Sequence, residues 1–243
     1  NTGKRKMTNM EIIAFSGGID STALALMQEN AIPVFTDTGW EFPHVYEHIE
    51  SFEEVTGRVV ERLTHSKHNG LVEYIREQKF FPNHGARYCT RIFKIEVMNQ
   101  WIEDKLPATL NIGLRADEPA SERIGNLTFM DGLTIRYPLR EMGMTRLDCV
   151  KVCVENNLVP RSPIYSARGG CIGCFYKRKS EIYAMNDLVP ELLDELEKLE
   201  RDVQDERGEY FYMFPNIGMS ISNFRRQQTM FTPEEIYQDA AQR

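Results

Sequence analysis

Apolar and polar positions in the first half of the chain follow two repeating patterns. Ile12, Ile13 and Phe15 form a short, nearly continuous apolar run, as a strand buried on both faces requires, and predict a β-strand over Glu11–Phe15. A helix from Asp20 to Glu29 follows, with Asp20, Ser21 and Thr22 as capping residues ahead of the apolar run Ala23–Met27. Ile32–Thr36 reads as a second strand. Phe42–Thr56 reads as a helix with Pro43 in its first turn, where a missing N–H costs little. Arg58–Leu63 alternates as a third strand, and Val72–Gln78 is a short helix. Arg91–Lys105 is a longer helix with Ile92, Ile95, Val97, Met98, Trp101 and Ile102 as its apolar stripe, and Thr109–Leu114 is another strand. Repeated β-α-β units predict an α/β fold: a parallel sheet with helices on both faces and right-handed crossovers.

The pattern changes after residue 126. Leu127–Leu139 reads as a strand pair around the turn Asp131-Gly132, Thr145–Asn156 as a helix and Arg161–Gly170 as a loop. A charged helical segment runs from Lys179 to Arg207, and no internal repeat occurs. The expected organisation is a tail over 1–10, the sheet domain over 11–140, and a cysteine-bearing C-terminal region over 141–243. That last region is expected to pack on the same domain as a helical appendage.

A length of 243 residues with 42% hydrophobic content suits one large domain, or one with a small appendage. A net charge of -7 argues against broad electrostatic wrapping of nucleic acid. It leaves room for a local basic patch, for which Lys177, Arg178 and Lys179 are the candidates. The alternative for these three is a solvated helix start. No apolar run reaches transmembrane length and no signal peptide is evident, so a cytoplasmic protein that does not enter membranes is expected. Five cysteines, with one CxxC, point to a reducing compartment, where they serve as thiols or metal ligands before disulfides.

The stretch IIAFSGGIDST, residues 12–22, carries the first chemical signal. Gly17 and Gly18 permit backbone angles that other residues resist, and leave no side chain in a ligand's way. A Gly-rich strand-to-helix turn aims free N–H groups and the positive end of a helix dipole at one point. Ser16, Gly17, Gly18, Asp20, Ser21 and Thr22 would then cradle a pyrophosphate. The plainer alternative is a capped helix after a tight turn. Where a Walker A loop places its lysine, this chain has Ile-Asp-Ser, so the loop is of another kind. Asp20 beside phosphate requires Mg²⁺ between them or backbone N–H partners, and Asp37 either acts the same way or starts a turn. Ligands of parallel sheets sit outside the carboxyl ends of the strands, where SGGIDS and Thr36–Glu41 both fall. Arg115 and Arg123 suit an oxyanion bidentately, or pair with Asp117, Glu118 and Glu122 on a solvated loop. Lys94 would neutralise a phosphate from its helix, or is simply exposed.

Cys171 and Cys174 lie in the glycine-rich loop GGCIGC, a spacing that fits one tetrahedral metal or one corner of a cluster. Cys149 and Cys153 are one helical turn apart. Cys149 reads as core, and Cys153 is open as a further ligand. His44 and His48 read as half-buried surface.

SGGxDS resembles the pyrophosphate loop of the N-type ATP pyrophosphatases, the adenine nucleotide alpha hydrolase group. Further segments, in order, are similar to its phosphoadenylyl-sulfate reductase branch. These are Asp37-Thr-Gly-Trp-Glu-Phe-Pro43, Tyr88-Cys-Thr-Arg-Ile-Phe-Lys94, Gly113-Leu-Arg-Ala-Asp-Glu118 with Arg123, Tyr137-Pro-Leu139 and Gly-Cys-x-x-Cys over Gly170–Cys174. The resemblance spans roughly residues 11–176. It implies ATP with its β and γ phosphates in the loop, Mg²⁺, transfer of AMP to a substrate, and Cys89 as a ligand beside Cys171 and Cys174. It implies a [4Fe–4S] cluster on these three, with structural zinc as the main alternative and a redox disulfide as the third.

The chain also departs from the reductase pattern. Thr90 stands where the cluster-bearing reductases have a second tandem cysteine, and no cysteine follows Cys174, whereas those enzymes use one in a mobile tail. The resemblance then implies ATP-dependent sulfur transfer, as in the DNA phosphorothioation ATP pyrophosphatases, or in cluster-dependent tRNA thiolases. It implies a cysteine desulfurase as sulfur donor and a nucleic acid as acceptor. A sulfonucleotide (PAPS/APS) reductase is the alternative, and a zinc-stabilised nucleotide-sensing module is the non-catalytic one. The oligomeric state is left open.

Overall fold

The computed structural model describes residues 9–119, 130–167, 169–208, 210–227 and 234. Five strands, β1 (Met10–Ala14), β2 (Ile32–Thr36), β3 (Glu61–Leu63), β4 (Ala108–Asn111) and β5 (Leu133–Arg136), form one sheet in the order β3-β2-β1-β4-β5. Every pairing is parallel, with Ile12 opposite both Ile32 and Leu110. The chain divides into two compact units.

The first unit draws on residues 1–37, 45–64 and 94–160 and contains the whole sheet. Its helices include α1 (Ile19–Met27) and most of α2 (Pro43–Thr56). β1 and β4 are interior strands, so both their faces are covered and their residues must be apolar or fully bonded. Ile12, Val34, Ala108 and Leu110 pack with Met98 and Ile102 of a later helix in one buried cluster. Each of these side chains larger than alanine contributes about 1.5–3 kcal/mol relative to exposure. Phe15 meets Phe52 of α2 with ring centroids 4.9 Å apart. The buried Asn111 amide donates to the Glu11 carboxylate at 2.9 Å and to the Ile12 carbonyl at 3.1 Å.

The second unit draws on residues 38–44, 65–93 and 161–243. It contains α3 (Leu71–Gln78), the short helix α4 (Tyr88–Thr90), and a cysteine-bearing turn described below. The helix predicted over Arg91–Lys105 is irregular: a π-helical turn, Arg91–Glu96, crosses from this unit into the first and leads into α5 (Val97–Glu103). In the first unit follow α6 (Pro138–Glu141) and α7 (Arg146–Glu155), the latter opened by a reciprocal Thr145–Asp148 capping box. The second unit ends in α8 (Lys179–Leu188), α9 (Pro190–Arg207) and α10 (Ile221–Arg226). The charged segment Lys179–Arg207 is thus two helices. Pro190 lacks the N–H to continue α8, and Val189 before it leaves the helical region, at φ -145° and ψ 55°. Leu193, Leu196, Leu199 and Val203 line the buried face of α9.

Leu133–Arg136 is a parallel partner of β4 rather than the second arm of a hairpin. Gly132, at φ +86°, offers its carbonyl to the Ala108 N–H and feeds the chain into the sheet edge. The other predicted arm, from Leu127, falls largely outside the described residues. Among the described residues no helix is long and apolar enough to cross a membrane.

Candidate functional site

The turn between β1 and α1 is built as its glycines suggest. Gly17 sits at φ +70°, and a Cβ there would stand 3.2 Å from Val45 Cγ1, so the position is both left-handed and crowded. Gly18 is the N-cap of α1 and supplies no side-chain cap. Its carbonyl accepts from the Thr22 N–H at 2.9 Å and from the Ser21 hydroxyl at 3.0 Å. Ser21 Oγ also accepts from the Ser16 N–H at 3.1 Å and lies 3.1 Å from Ser16 Oγ. The two serines therefore brace the turn from inside. The N–H groups of Ile19, Asp20 and Ser21 have no acceptor within the helix and face out of its positive end.

The loop after β4 closes on this turn. A Cβ at Gly113 would stand 3.3 Å from Asp20 C and Ser21 N, which explains glycine there. Two residues on, Arg115 donates to Asp20 Oδ2 at 2.5 Å and to Asp117 at 2.8 Å, and lies 3.2 Å from Glu118. Among the described residues Asp20 Oδ1, which is buried, has no hydrogen-bond partner. Burial raises the Asp20 carboxyl above its ordinary range, against the pull of Arg115. Arg140, at the end of α6, donates to the Arg115 and Glu118 carbonyls at 3.3 and 2.9 Å and holds the loop in shape. Arg123 lies outside the described residues.

Thr22 turns inward. It is fully buried, and its hydroxyl lies 2.8 Å from Nε2 of His48. His48 is itself buried rather than half-exposed, and burial drives its pKa down to about 4. Asp37, just past β2, accepts from the Tyr46 hydroxyl at 2.8 Å. Lys94 is half-buried in the π-helical turn. Cys149 and Cys153 are both fully buried on α7, and Cys153 donates to the Ile19 carbonyl at 3.6 Å. Burial pushes their thiols up to about 11 and about 12, so they are core thiols in their protonated form.

Cys89, Cys171 and Cys174 all belong to the second unit and are half-buried. Residues 40–42 run antiparallel to 170–172: the Phe42 N–H donates to the Gly170 carbonyl at 2.6 Å and the Ile172 N–H to the Trp40 carbonyl at 2.9 Å. The DTGWEF turn thus supports the CxxC turn. Trp40 lies so close over Gly173 that a Cβ there would stand 2.0 Å from the indole.

Lys177 is not the surface cation its place in a basic triplet implies. It is 1% exposed. Its ammonium donates to the Tyr165 carbonyl at 2.8 Å, lies 4.6 Å from the Phe42 ring centroid and 3.9 Å from Glu181. Burial lowers its pKa, while Glu181, Cys174 and Cys171 oppose that. Of the triplet, Lys179 alone is exposed and Arg178 is half-buried. Among the described residues no three His, Cys, Asp or Glu side chains are arranged as a metal-binding group.

Sequence reasoning missed Arg140 and Tyr46, and read the buried His48 and Lys177 as surface residues. Gly113 was quoted for its motif, not for its contact. A glycine immediately after an apolar strand is the signal that could have marked it.

The sequence pattern of the phosphoadenosine phosphosulfate reductase domain matches residues 11–178, well over half of the chain, and the chain belongs to that family. Its members are enzymes acting on nucleotides. Among solved structures, a phosphoadenylyl-sulfate (PAPS) reductase from Candida auris, in complex with phosphate, is similar at 13% identity and a TM-score of 0.46. The likeness covers 63% of this chain and 75% of that one. No curated protein matches.

Proposed function

We propose that the chain is an ATP pyrophosphatase that adenylates an acceptor for sulfur transfer. The observation that carries this reading is the Ser16–Ser21 turn. Its side-chain-free Gly17-Gly18 segment and the outward N–H groups of Ile19–Ser21 suit the β and γ phosphates of ATP. In the reaction an acceptor oxygen attacks the α-phosphorus, the bond to the β-phosphate oxygen breaks, and pyrophosphate leaves into the turn. The acceptor oxygen, poor as a leaving group by itself, then departs as part of AMP when the terminal sulfur of a donor persulfide displaces it, and a thiol reductant cleaves the remaining S–S bond to release the donor. Asp20, whose Oδ1 has no hydrogen-bond partner among the described residues, is the residue that would hold Mg²⁺, which would supply charge neutralisation for the phosphates. Asp37, Lys94 and Arg123 complete the proposed nucleotide set.

Cys171, Cys174 and Cys89 are the residues that would hold a [4Fe–4S] cluster, or zinc in its place. A cluster when bound would supply an iron able to carry the incoming sulfur. A cysteine desulfurase is the proposed donor. A nucleic acid, as in DNA phosphorothioation or tRNA thiolation, is the proposed acceptor. Arg178 and Lys179 remain as its basic contacts, since Lys177 is buried.

The test is product analysis with ATP and Mg²⁺, followed by labelled-sulfur transfer from cysteine with a desulfurase and DNA or tRNA. AMP and pyrophosphate are expected, and Ser16→Ala and Asp20→Ala should weaken ATP binding with the fold intact. ADP and inorganic phosphate as the only products would end this reading. The family match favours a second reading, a sulfonucleotide reductase. Sulfite release from an adenylyl sulfate with thioredoxin, and no label in nucleic acid, would establish it instead.

A further inference from the structure

We infer that a cleft of the second unit is a stacking site for one unpaired nucleobase of the acceptor strand, with the Asn83 amide as the hydrogen-bond donor to the edge of that base. This rests on the reading that the acceptor is a nucleic acid.

Phe80 and Phe81, just past α3, line one cleft with Tyr210, Phe211 and Tyr212, just past α9. The cleft holds about 210 Å³, and about 150 Å³ is enough for a benzene ring, so one planar base fits. Both walls are held from behind. The Tyr88 hydroxyl donates to the Phe80 carbonyl, and Arg207 donates to the Gln78 and Lys79 carbonyls, each at 3.1 Å. Gln204 donates to the Phe211 carbonyl at 3.2 Å, and the Phe80 and Phe211 rings meet edge to face with centroids 6.3 Å apart. Tyr210 lines the same cleft with 78% of its surface exposed, so its ring face is available to a ligand. Asn83 supplies direction. Its Oδ1 accepts from the Gly85 and Ala86 N–H groups, both at 2.9 Å, which fixes the rotation of the amide. Its Nδ2, with no acceptor among the described residues, is therefore the end that can meet a ligand in the cleft. A nucleobase offers what that donor needs, a ring nitrogen or carbonyl oxygen in the plane of a stacking ring, whereas an acyl chain offers none. Charge agrees. The turn over 83–86 leads into Arg87, whose exposed guanidinium lies 5.7 Å from the ring centroid of Tyr176, two residues past Cys174. A strand with its base in the cleft thus has a cation for its backbone on the segment that reaches the cysteine turn.

The test measures binding of the full chain to a labelled short single-stranded oligonucleotide, to the same strand built of abasic sugars, to its paired duplex, and to a nucleoside monophosphate. Wild type, Tyr210→Ala, Tyr210→Trp and Asn83→Asp are compared, with thermal unfolding as a check on folding. Asn83→Asp keeps an oxygen for both backbone N–H groups and replaces the donor with a second oxygen. The single strand should bind at least about 10-fold tighter than the abasic strand or the duplex. Tyr210→Ala should weaken it about 5–150-fold, the range for losing one base–aromatic stack, and leave the abasic strand unchanged. Asn83→Asp should also weaken it, and Tyr210→Trp should retain binding. Equal binding of the single strand by the wild type, Tyr210→Ala and Asn83→Asp overturns the proposal with the nucleic-acid reading intact. So does an abasic strand that binds as well as the normal one. A monophosphate that binds as tightly as the strand, and loses as much in Tyr210→Ala, makes the cleft a free-nucleotide site and overturns its role toward the acceptor. A wild-type chain that binds no nucleic acid overturns both.

Discussion

Arg115 and Asp20, 95 residues apart in sequence, meet at 2.5 Å where the loop after β4 reaches the first turn of α1. Both side chains are largely withdrawn from solvent, at 12% and 21% exposure. The contact joins the arginine loop to the phosphate turn within one unit, so a change in either residue is felt at the other.

That coupling is measurable. Arg115→Met and Asp20→Asn, made singly and together, should show an interaction energy of about 1–3 kcal/mol in chemical denaturation, as residues in one charged network do. Strictly additive effects would mean that the two side chains act separately.

His48 predicts loss of stability in acid. The neutral ring is favoured in the fold, with a pKa of about 4 against 6.5 unfolded, so the unfolded chain binds the proton more tightly. Its contribution is present above pH 6.5 and is lost as pH falls toward 4, by on the order of 3 kcal/mol. His48→Gln keeps a polar partner for Thr22 and should abolish this component. Urea midpoints of the two proteins, compared from pH 4 to 7, give the measurement.

Glu200 predicts the opposite sign over an overlapping range. Its carboxylate is buried, accepts from the Met213 and Ile221 N–H groups at 2.9 and 2.6 Å, and is pushed up to about 7 by burial. A raised acid contributes stability below its unfolded value of 4.5 and loses it as pH rises through 7, by on the order of 3 kcal/mol. Relative to the wild type, Glu200→Gln should therefore gain stability between pH 5 and 8. A stability difference that stays constant across that range would refute it.

Gly173→Ala should unfold the cysteine turn before it disturbs anything else. The new Cβ would stand 2.0 Å from Cη2 of Trp40, inside any allowed contact. The indole must move, at a cost of about 1–3 kcal/mol for an overpacked site. Trp40 fluorescence should shift toward the solvated indole, and Trp40→Leu should recover part of the lost stability. An unchanged emission spectrum with unchanged stability would contradict the packing.

The sequence by itself determined those features that depend on local periodicity and on backbone permission. Ile12, Ile13 and Phe15 specify a buried strand because both faces of an interior parallel strand must be apolar. Gly17 was legible because a side chain at φ +70° is strained wherever the turn lies. The order of the segments with Asp20, Arg115 and the CxxC pair was enough to indicate the family, since those spacings are properties of the chain alone. Tertiary structure decided the rest. Leu133–Arg136 could pair with its neighbour in sequence or with β4, and only the open edge of the sheet selects β4. Thr22 has the same local sequence signal as Ser21, yet one hydroxyl braces the turn and the other meets a buried histidine contributed by α2. Lys177 reads as a surface charge in Lys-Arg-Lys because neighbours in sequence report composition and not enclosure. Phe42, Tyr165 and Glu181 enclose it only once separate segments of the chain have folded together, and burial is a property of that assembly.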